Sequence, residues 1–244
     1  MSTQTTWGQR LKIYVEGNQT YECGISQLDS IVFVTSESVI EDEHEWVDLG
    51  LPSGTQWATC NIGATSPEKC GSYFAWGETK PKSEFTSSNY LYSQGSSSDL
   101  LKYCFNNGYN GLTDGLTELL PEDDAATMNW GNYWQMPNLA QFVELINSNY
   151  TKTAWTTMNR KEGMKITSKI NGNSIFLPST GYRRDTDIIV ESAGYYWSRS
   201  LNLDESWWAY SLNAAYNNTD LGRIGTYGKQ SRHDGLPIRP VRKK

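Results

Sequence analysis

Met164-Lys-Ile-Thr-Ser-Lys-Ile170 and Ser174-Ile-Phe-Leu177 stand on either side of Asn171-Gly172-Asn173. Asn-Gly adopts the positive φ values of a tight hairpin turn, and Ile, Phe and Thr suit the flanking strands. The stretch predicts an antiparallel hairpin. Further strands are expected at Gly194-Tyr-Tyr-Trp-Ser-Arg-Ser200, Trp207-Trp-Ala-Tyr-Ser-Leu212 and Leu236-Pro-Ile-Arg-Pro-Val241, joined by loops rich in Asn, Asp, Gly and Tyr.

Upstream of the hairpin the pattern turns helical twice. Glu122-Asp123-Asp124 after Pro121 suits a helix start, because carboxylates stabilise the unpaired amides there. A metal site is the sharper alternative for these acids. A second helix is expected after Pro137-Asn138, with Leu139, Phe142, Val143 and Ile146 at i, i+3, i+4 and i+7. Two helices followed by antiparallel strands make an α+β domain.

The chain ahead of residue 46 has a different texture. Leu11-Lys-Ile13-Tyr-Val15, a Gly17-Asn18 turn and Ile31-Val-Phe-Val34 predict a small β-rich module, with a helical turn at Ser26-Gln-Leu-Asp29. Ser36 to Glu45 carries five carboxylates and is expected to be a solvated linker. The expected organisation is therefore 1–45 for the module and acidic linker, and 46–244 for the main domain.

Eight of the 27 acids and two of the 21 bases lie in residues 1–45, so the remaining 19 acids and 19 bases cancel. A neutral main domain lacks the basic stripe of a nucleic-acid binder. No apolar run approaches the roughly 20 residues that span a bilayer. The start, Met1-Ser-Thr-Gln-Thr-Thr-Trp7, has neither the basic nor the apolar segment of a signal peptide. Cys23, Cys60, Cys70 and Cys104 form no CxxC pair, which disfavours zinc and leaves three disulfide pairings or free thiols open.

Reactive groups are scarce. His44 and His233 are the two histidines, and no HExxH, P-loop, GxSxG or dinucleotide glycine motif is present. Asp185, Asp187 and Glu191 have the residue types of a glycosidase pair. Beside Arg183 and Arg184, a solvated mixed-charge loop is the simpler expectation. Catalysis is not expected, and no cofactor is expected; a structural Ca²⁺ is left open.

Aromatic residues make up 13% of the chain, including ten Trp and fifteen Tyr. Composition alone makes core packing the default, and position along each strand decides exposure. Trp207, Trp208, Tyr210, Tyr216 and Tyr227 lie among Asn, Ser, Asp and Arg residues, and rigid rings beside adaptable polar groups suit a binding surface. Strand alternation places Trp208 and Tyr210 on the face of Leu212, and Trp207, Ser211 and Asn213 on the other. Leu212 then draws Trp208 toward the core and leaves Trp207 as the expected exposed anchor. Arg199, Arg223, Lys229 and His233 would supply charged contacts around it.

Several strings resemble the Fibrobacter succinogenes major paralogous domain. They are Trp46-Val-Asp-Leu-Gly-Leu-Pro-Ser-Gly-Thr-Gln-Trp-Ala-Thr-Cys-Asn-Ile-Gly-Ala64, Tyr73-Phe-Ala-Trp-Gly-Glu78, Pro121-Glu-Asp-Asp-Ala-Ala126 and Trp134-Gln-Met-Pro137. Asn171-Gly-Asn-Ser-Ile-Phe-Leu-Pro178, Gly194-Tyr-Tyr-Trp-Ser198 and Gly235-Leu-Pro-Ile-Arg-Pro-Val241 complete the series. The resemblance covers roughly residues 46–242 in order. The first 35 residues look like a short β module often placed ahead of such domains.

The resemblance implies a C-type-lectin-like fold, related to formylglycine-generating enzymes and to variable proteins of diversity-generating retroelements. In the variable proteins the segment equivalent to Gly194–Val241 contacts the receptor. It implies ligand-binding roles for Asn202, Asp204, Asn218 and Asp220 with the residues named above, and a scaffold role for Tyr196, Trp197, Arg232, Gly235 and Arg239. Arg239 is expected to pair with a carboxylate or with backbone carbonyls. A formylglycine-type activity needs a late cysteine pair, and no cysteine follows Cys104. The calcium-binding pattern of true lectins has no clear match.

The expected function is thus receptor or ligand binding, as a phage tail-tip adhesin or a retroelement-diversified variable protein on a virion or cell surface. Its partner would be a protein or glycan receptor on a cell, without nucleic acid or membrane insertion, and a homo-oligomer, a trimer, is compatible. The rivals are a secreted surface or fimbria-associated interaction module and a formylglycine-type enzyme.

Overall fold

A computed structural model describes residues 10–15, 18–24, 44–96, 99–105, 112–189, 192–215 and 224–243. The chain divides into two compact units, Met1–Glu43 and His44–Lys244. In the first unit, β1 (Arg10–Val15) pairs antiparallel with β2 (Asn18–Gly24), with an irregularity between Ile13 and Tyr14. The expected helical turn at 26–29 and the run Ile31–Val34 lie outside the described residues.

The second unit is α+β, and its sheets are antiparallel. It opens with β3 (Trp46–Asp48) and β4 (Thr55–Ala58), and β13 (Val241–Lys243) pairs with β4 in the order β13-β4-β3. The two ends of this unit are therefore stitched together. Trp57 and Val241, opposite each other across that seam, are both fully buried.

The helical region is shorter and more divided than the sequence pattern predicts. Pro121–Asp123 forms one 3₁₀ turn, and Asp124 then caps α1 (Ala125–Trp130), accepting from the amides of Ala126 and Thr127. The Asp124 carboxylate also takes the Met136 amide, which fastens the chain leaving α1 to its start. Asn138 and Gln141 form a reciprocal capping box at α2 (Leu139–Leu145). Phe142 and Leu145 face the core, whereas Val143 is 42% exposed, so α2 is rotated from the expected apolar stripe.

The predicted hairpin is present as β6 (Lys161–Ser168) and β7 (Ser174–Pro178). A further strand, β5 (Thr151–Met158), precedes it and pairs with β6 along its whole length. Asn159 and Arg160 make the β5–β6 turn with φ of 47° and 70°, a conformation that Asn tolerates well and Arg poorly. After β7 come the short pair β8 (Tyr182–Arg184) and β9 (Asp187–Ile189), then β10 (Ala193–Leu201), β11 (Trp208–Ala215) and β12 (Ile224–Ser231) in one meander.

The expected closing strand from Leu236 to Val241 is mostly an extended crosspiece. Pro237 and Pro240 have no amide hydrogen, so a continuous ladder is impossible there. Their carbonyls are used instead, taking the amides of Trp197 and Ala58, while Ile238 takes Ile62. Between those prolines Arg239 is fully buried and donates to Asn61 Oδ1 and to the carbonyls of Ala58 and Phe176. It is held by neutral oxygens rather than by a carboxylate. Burial pushes its basicity down, but a guanidinium stays charged.

Two apolar clusters fill the unit. One joins Trp76, Trp134, Trp197, Phe74 and Ile238; the other joins Trp57, Phe142, Met164, Tyr196 and Leu212. Consecutive Tyr196 and Trp197 on β10 thus enter different clusters, as strand alternation requires. No helix among the described residues is long and apolar enough to cross a membrane.

Candidate binding surface

Arg232 organises the region that the sequence marks as functional. It is 1% exposed. Its guanidinium donates to the carbonyls of Lys102, Tyr103 and Ser206 and to the Tyr90 hydroxyl, and it stacks 4.8 Å from the Trp76 ring. Three separated segments, 90–103, 206 and 232, are fastened to one planar cation. The Phe105 amide donates to Ser206 Oγ and the Arg232 amide to the Trp207 carbonyl, which fixes the turn before β11.

A second hub lies beside it. The Asp123 carboxylate, 8% exposed, accepts from Tyr92 (2.5 Å), from Lys102 (2.5 Å) and from the Tyr103 hydroxyl. Burial alone would raise its pKa, but the three donors together hold it below the usual carboxylate value. Burial and the Asp123 charge push both tyrosines far above their ordinary value. Both Asp123 oxygens are engaged by the protein's own donors, and no cluster of three or more His, Cys, Asp or Glu side chains able to hold a metal occurs among the described residues.

On this base the β11–β12 ribbon presents a mixed face. Trp208 and Tyr210 are half-buried, Lys229 is exposed, and Tyr210 pairs across the ladder with Lys229. Lys229 Nζ stands 5.5 Å from the centre of the Trp208 ring and forms an ion pair with Glu205. The opposite face of β11 is closed, with Ala209 and Ser211 fully buried. Leu212 is fully buried as well, but on the other side of the strand: it joins the cluster of its partner Tyr196, whereas Ala209 joins that of Trp197. Trp208 is half-buried and belongs to neither core cluster, so Leu212 and Ala214 enter the core on that side and Trp208 does not. Trp207 is also half-buried rather than fully exposed.

The other expected contact residues divide by burial. Ser211 and Asn202, the latter 4% exposed, are buried: Ser211 donates to Asn213 and Asn202 accepts from the Glu205 amide. Both shape the surface from below instead of forming it. Arg199 is engaged by Glu118 and Gln135, each at 2.8 Å. Asp204 is exposed, with Leu203 beside it at 41%. Asn213 is half-buried over Gly228, where an added Cβ would fall 2.1 Å from its amide nitrogen. Tyr216, Asn218, Asp220 and Arg223 lie outside the described residues, as does the Tyr227 side chain.

His233 borders the same region. Its Nδ1 is 3.0 Å from Ser231 Oγ, and its Nε2 is 3.8 Å from Asp234. Asp234 is fully buried and held by both Nε and Nη2 of Arg184. Burial lowers the His233 pKa, with Arg184 and Lys82 acting in the same direction against Asp234 and Asp185. Asp185 and Asp187 are exposed, at the turn and in β9, and Glu191 lies outside the described residues. Cys60, Cys70 and Cys104 are free thiols.

Sequence reasoning missed Glu205, Ser206 and the hub role of Asp123. Glu205 gave no signal beyond its charge. The capping role assigned to the 122–124 acids belongs to Asp124, and its neighbour was free to serve a loop that sequence cannot pair with it. Searches against protein-family models, curated proteins and solved structures find no match to the chain.

Proposed function

We propose that the protein is a receptor- or ligand-binding protein whose contact face is the β11–β12 ribbon with the 203–207 turn. The observation that carries this reading is the Trp208–Tyr210–Lys229–Glu205 face, displayed on a turn that buried Arg232 holds from beneath. Half-buried rings supply contact area at low rotamer cost, and the adjoining charges supply orientation. The partner is a protein or glycan on a cell.

The α+β layout supports a C-type-lectin-like fold of the Fibrobacter succinogenes major paralogous kind, with a phage tail-tip adhesin or a retroelement-diversified variable protein as the setting. In that setting the ribbon and the 216–223 segment vary while Arg232, Gly235 and Arg239 do not. Sequencing the gene across isolates tests this. Substitutions confined to residues 199–234, beside a reverse transcriptase and template repeat, are the expected result; substitutions spread evenly over 46–244 would overturn it.

A further inference from the structure

An open groove of about 650 Å³ runs beside α2, within the size range of ligand pockets, which is about 300–1,000 Å³. Its apolar lining includes Leu139, Val143 and Tyr150, and its polar lining includes Glu118, Glu144 and Asn147. Val143 is the side chain that the rotation of α2 leaves outside the core, 42% exposed. Val143 thereby gives the groove an aliphatic wall.

The charges of the groove are unequal. Glu118 is compensated, since Arg199 binds one of its oxygens at 2.8 Å and Ser200 Oγ donates to the other. Among the described residues Glu144 accepts from the amide and hydroxyl of Ser53, and no Lys or Arg pairs with it. Two neutral donors leave a carboxylate with spare lone pairs and its whole charge. No lysine or arginine among the described residues lines the groove. The lining thus joins an aliphatic floor to one uncompensated negative charge.

We propose that this groove docks a partner polypeptide through a lysine or arginine side chain, its alkyl stem on Leu139 and Val143 and its charged head at Glu144. Long basic side chains have this amphipathic form: the methylenes cover apolar surface while the head finds an anion. The remaining volume exceeds one side chain and accepts the residues flanking it. The groove uses none of the β11–β12 contact residues, so the site stands apart from the proposed receptor face and does not rest on it.

Amide chemical-shift titration of the full chain tests the assignment. Acetyl-Val-Lys-Val-amide is expected to shift the signals of residues 139–150 and Glu118, and acetyl-Val-Glu-Val-amide to leave them in place. Glu144→Gln keeps an acceptor for the Ser53 amide and can meet the Ser53 hydroxyl only as a donor, and it is expected to weaken the lysine peptide about fivefold, the loss of roughly one exposed charge contact. Val143→Lys, at an exposed position, should abolish binding, while Glu162→Gln on β6 should leave it unchanged. Equal shifts from both peptides, no shifts at all, or undiminished binding by Glu144→Gln and Val143→Lys would overturn the proposal. Shifts from spermidine as large as those from the lysine peptide would overturn the choice of a polypeptide.

Discussion

Lys229 stands over Trp208, its ammonium 5.5 Å from the ring centre, and the two are diagonal neighbours across the β11–β12 ladder. Glu205 closes the group from the preceding turn by an ion pair. A cation held against a ring keeps that ring in one orientation, which is what a contact face requires.

Lys229→Ala should therefore separate binding from stability. Lys229 and Glu205 are both well exposed, so their pair contributes at most about 1 kcal/mol to folding. The melting temperature should move by no more than about 4 °C. Receptor binding should fall at least about tenfold, through lost contact and a loosened Trp208 ring. Calorimetry beside a binding titration checks both.

Arg232→Met should do the reverse of a surface change. It would orphan the carbonyls of Lys102, Tyr103 and Ser206 in the interior, at a cost of about 3 kcal/mol or more. Arg232→Lys should recover little, because an ammonium cannot match four acceptors in one plane. Denaturant unfolding measures the loss. A wild-type midpoint for either variant would show that Arg232 does not hold the 206 turn.

Gly235→Ala and Gly228→Ala should differ sharply. A Cβ on Gly235 would fall 2.6 Å from ring atoms of Phe85, which is fully buried and has nowhere to go. Overpacking of that kind costs about 1–3 kcal/mol. At Gly228 the obstacle is the movable amide of Asn213, so the expected cost is below about 1 kcal/mol. Thermal unfolding of the two single variants gives the comparison.

His233 should make stability depend on acid pH. Its folded pKa lies below the ordinary 6.5, so the unfolded chain binds the proton first as pH falls. The stability it contributes is complete above about pH 6.5 and declines through the window down to its folded value. Denaturant midpoints at pH 7.5 and 5.5 should therefore differ more in the wild type than in His233→Gln. An equal difference in both would contradict the assignment.

Local signals carried the parts of this fold that local chemistry decides. Asn171-Gly172 announces the β6–β7 turn, and Asn138 with Gln141 announces the α2 cap, because each rule acts within four residues. β5 escaped notice since its outward side chains are Thr, Lys and Ala, and its turn uses Arg160 at positive φ. The proposed contact face was legible in composition but not in detail. Alternation places Trp208 on the face of Leu212 but does not say how far along β11 the core extends, and only tertiary structure shows that Ser206 answers to an arginine 26 residues on. The role of Asp123 was hidden for the same reason, as its partners Tyr92 and Lys102 lie 31 and 21 residues away.

The central claim is that the β11–β12 face meets a cell-surface receptor. Flow cytometry of the fluorescently labelled protein on a panel of bacterial strains tests it most directly, with Trp208→Ala/Tyr210→Ala/Lys229→Ala alongside the wild type. The account predicts that the wild type stains some strains and that the triple variant, still folded by its melting curve, loses about tenfold or more of that signal. Equal staining by the two proteins, or no staining of any strain by the wild type, would contradict it.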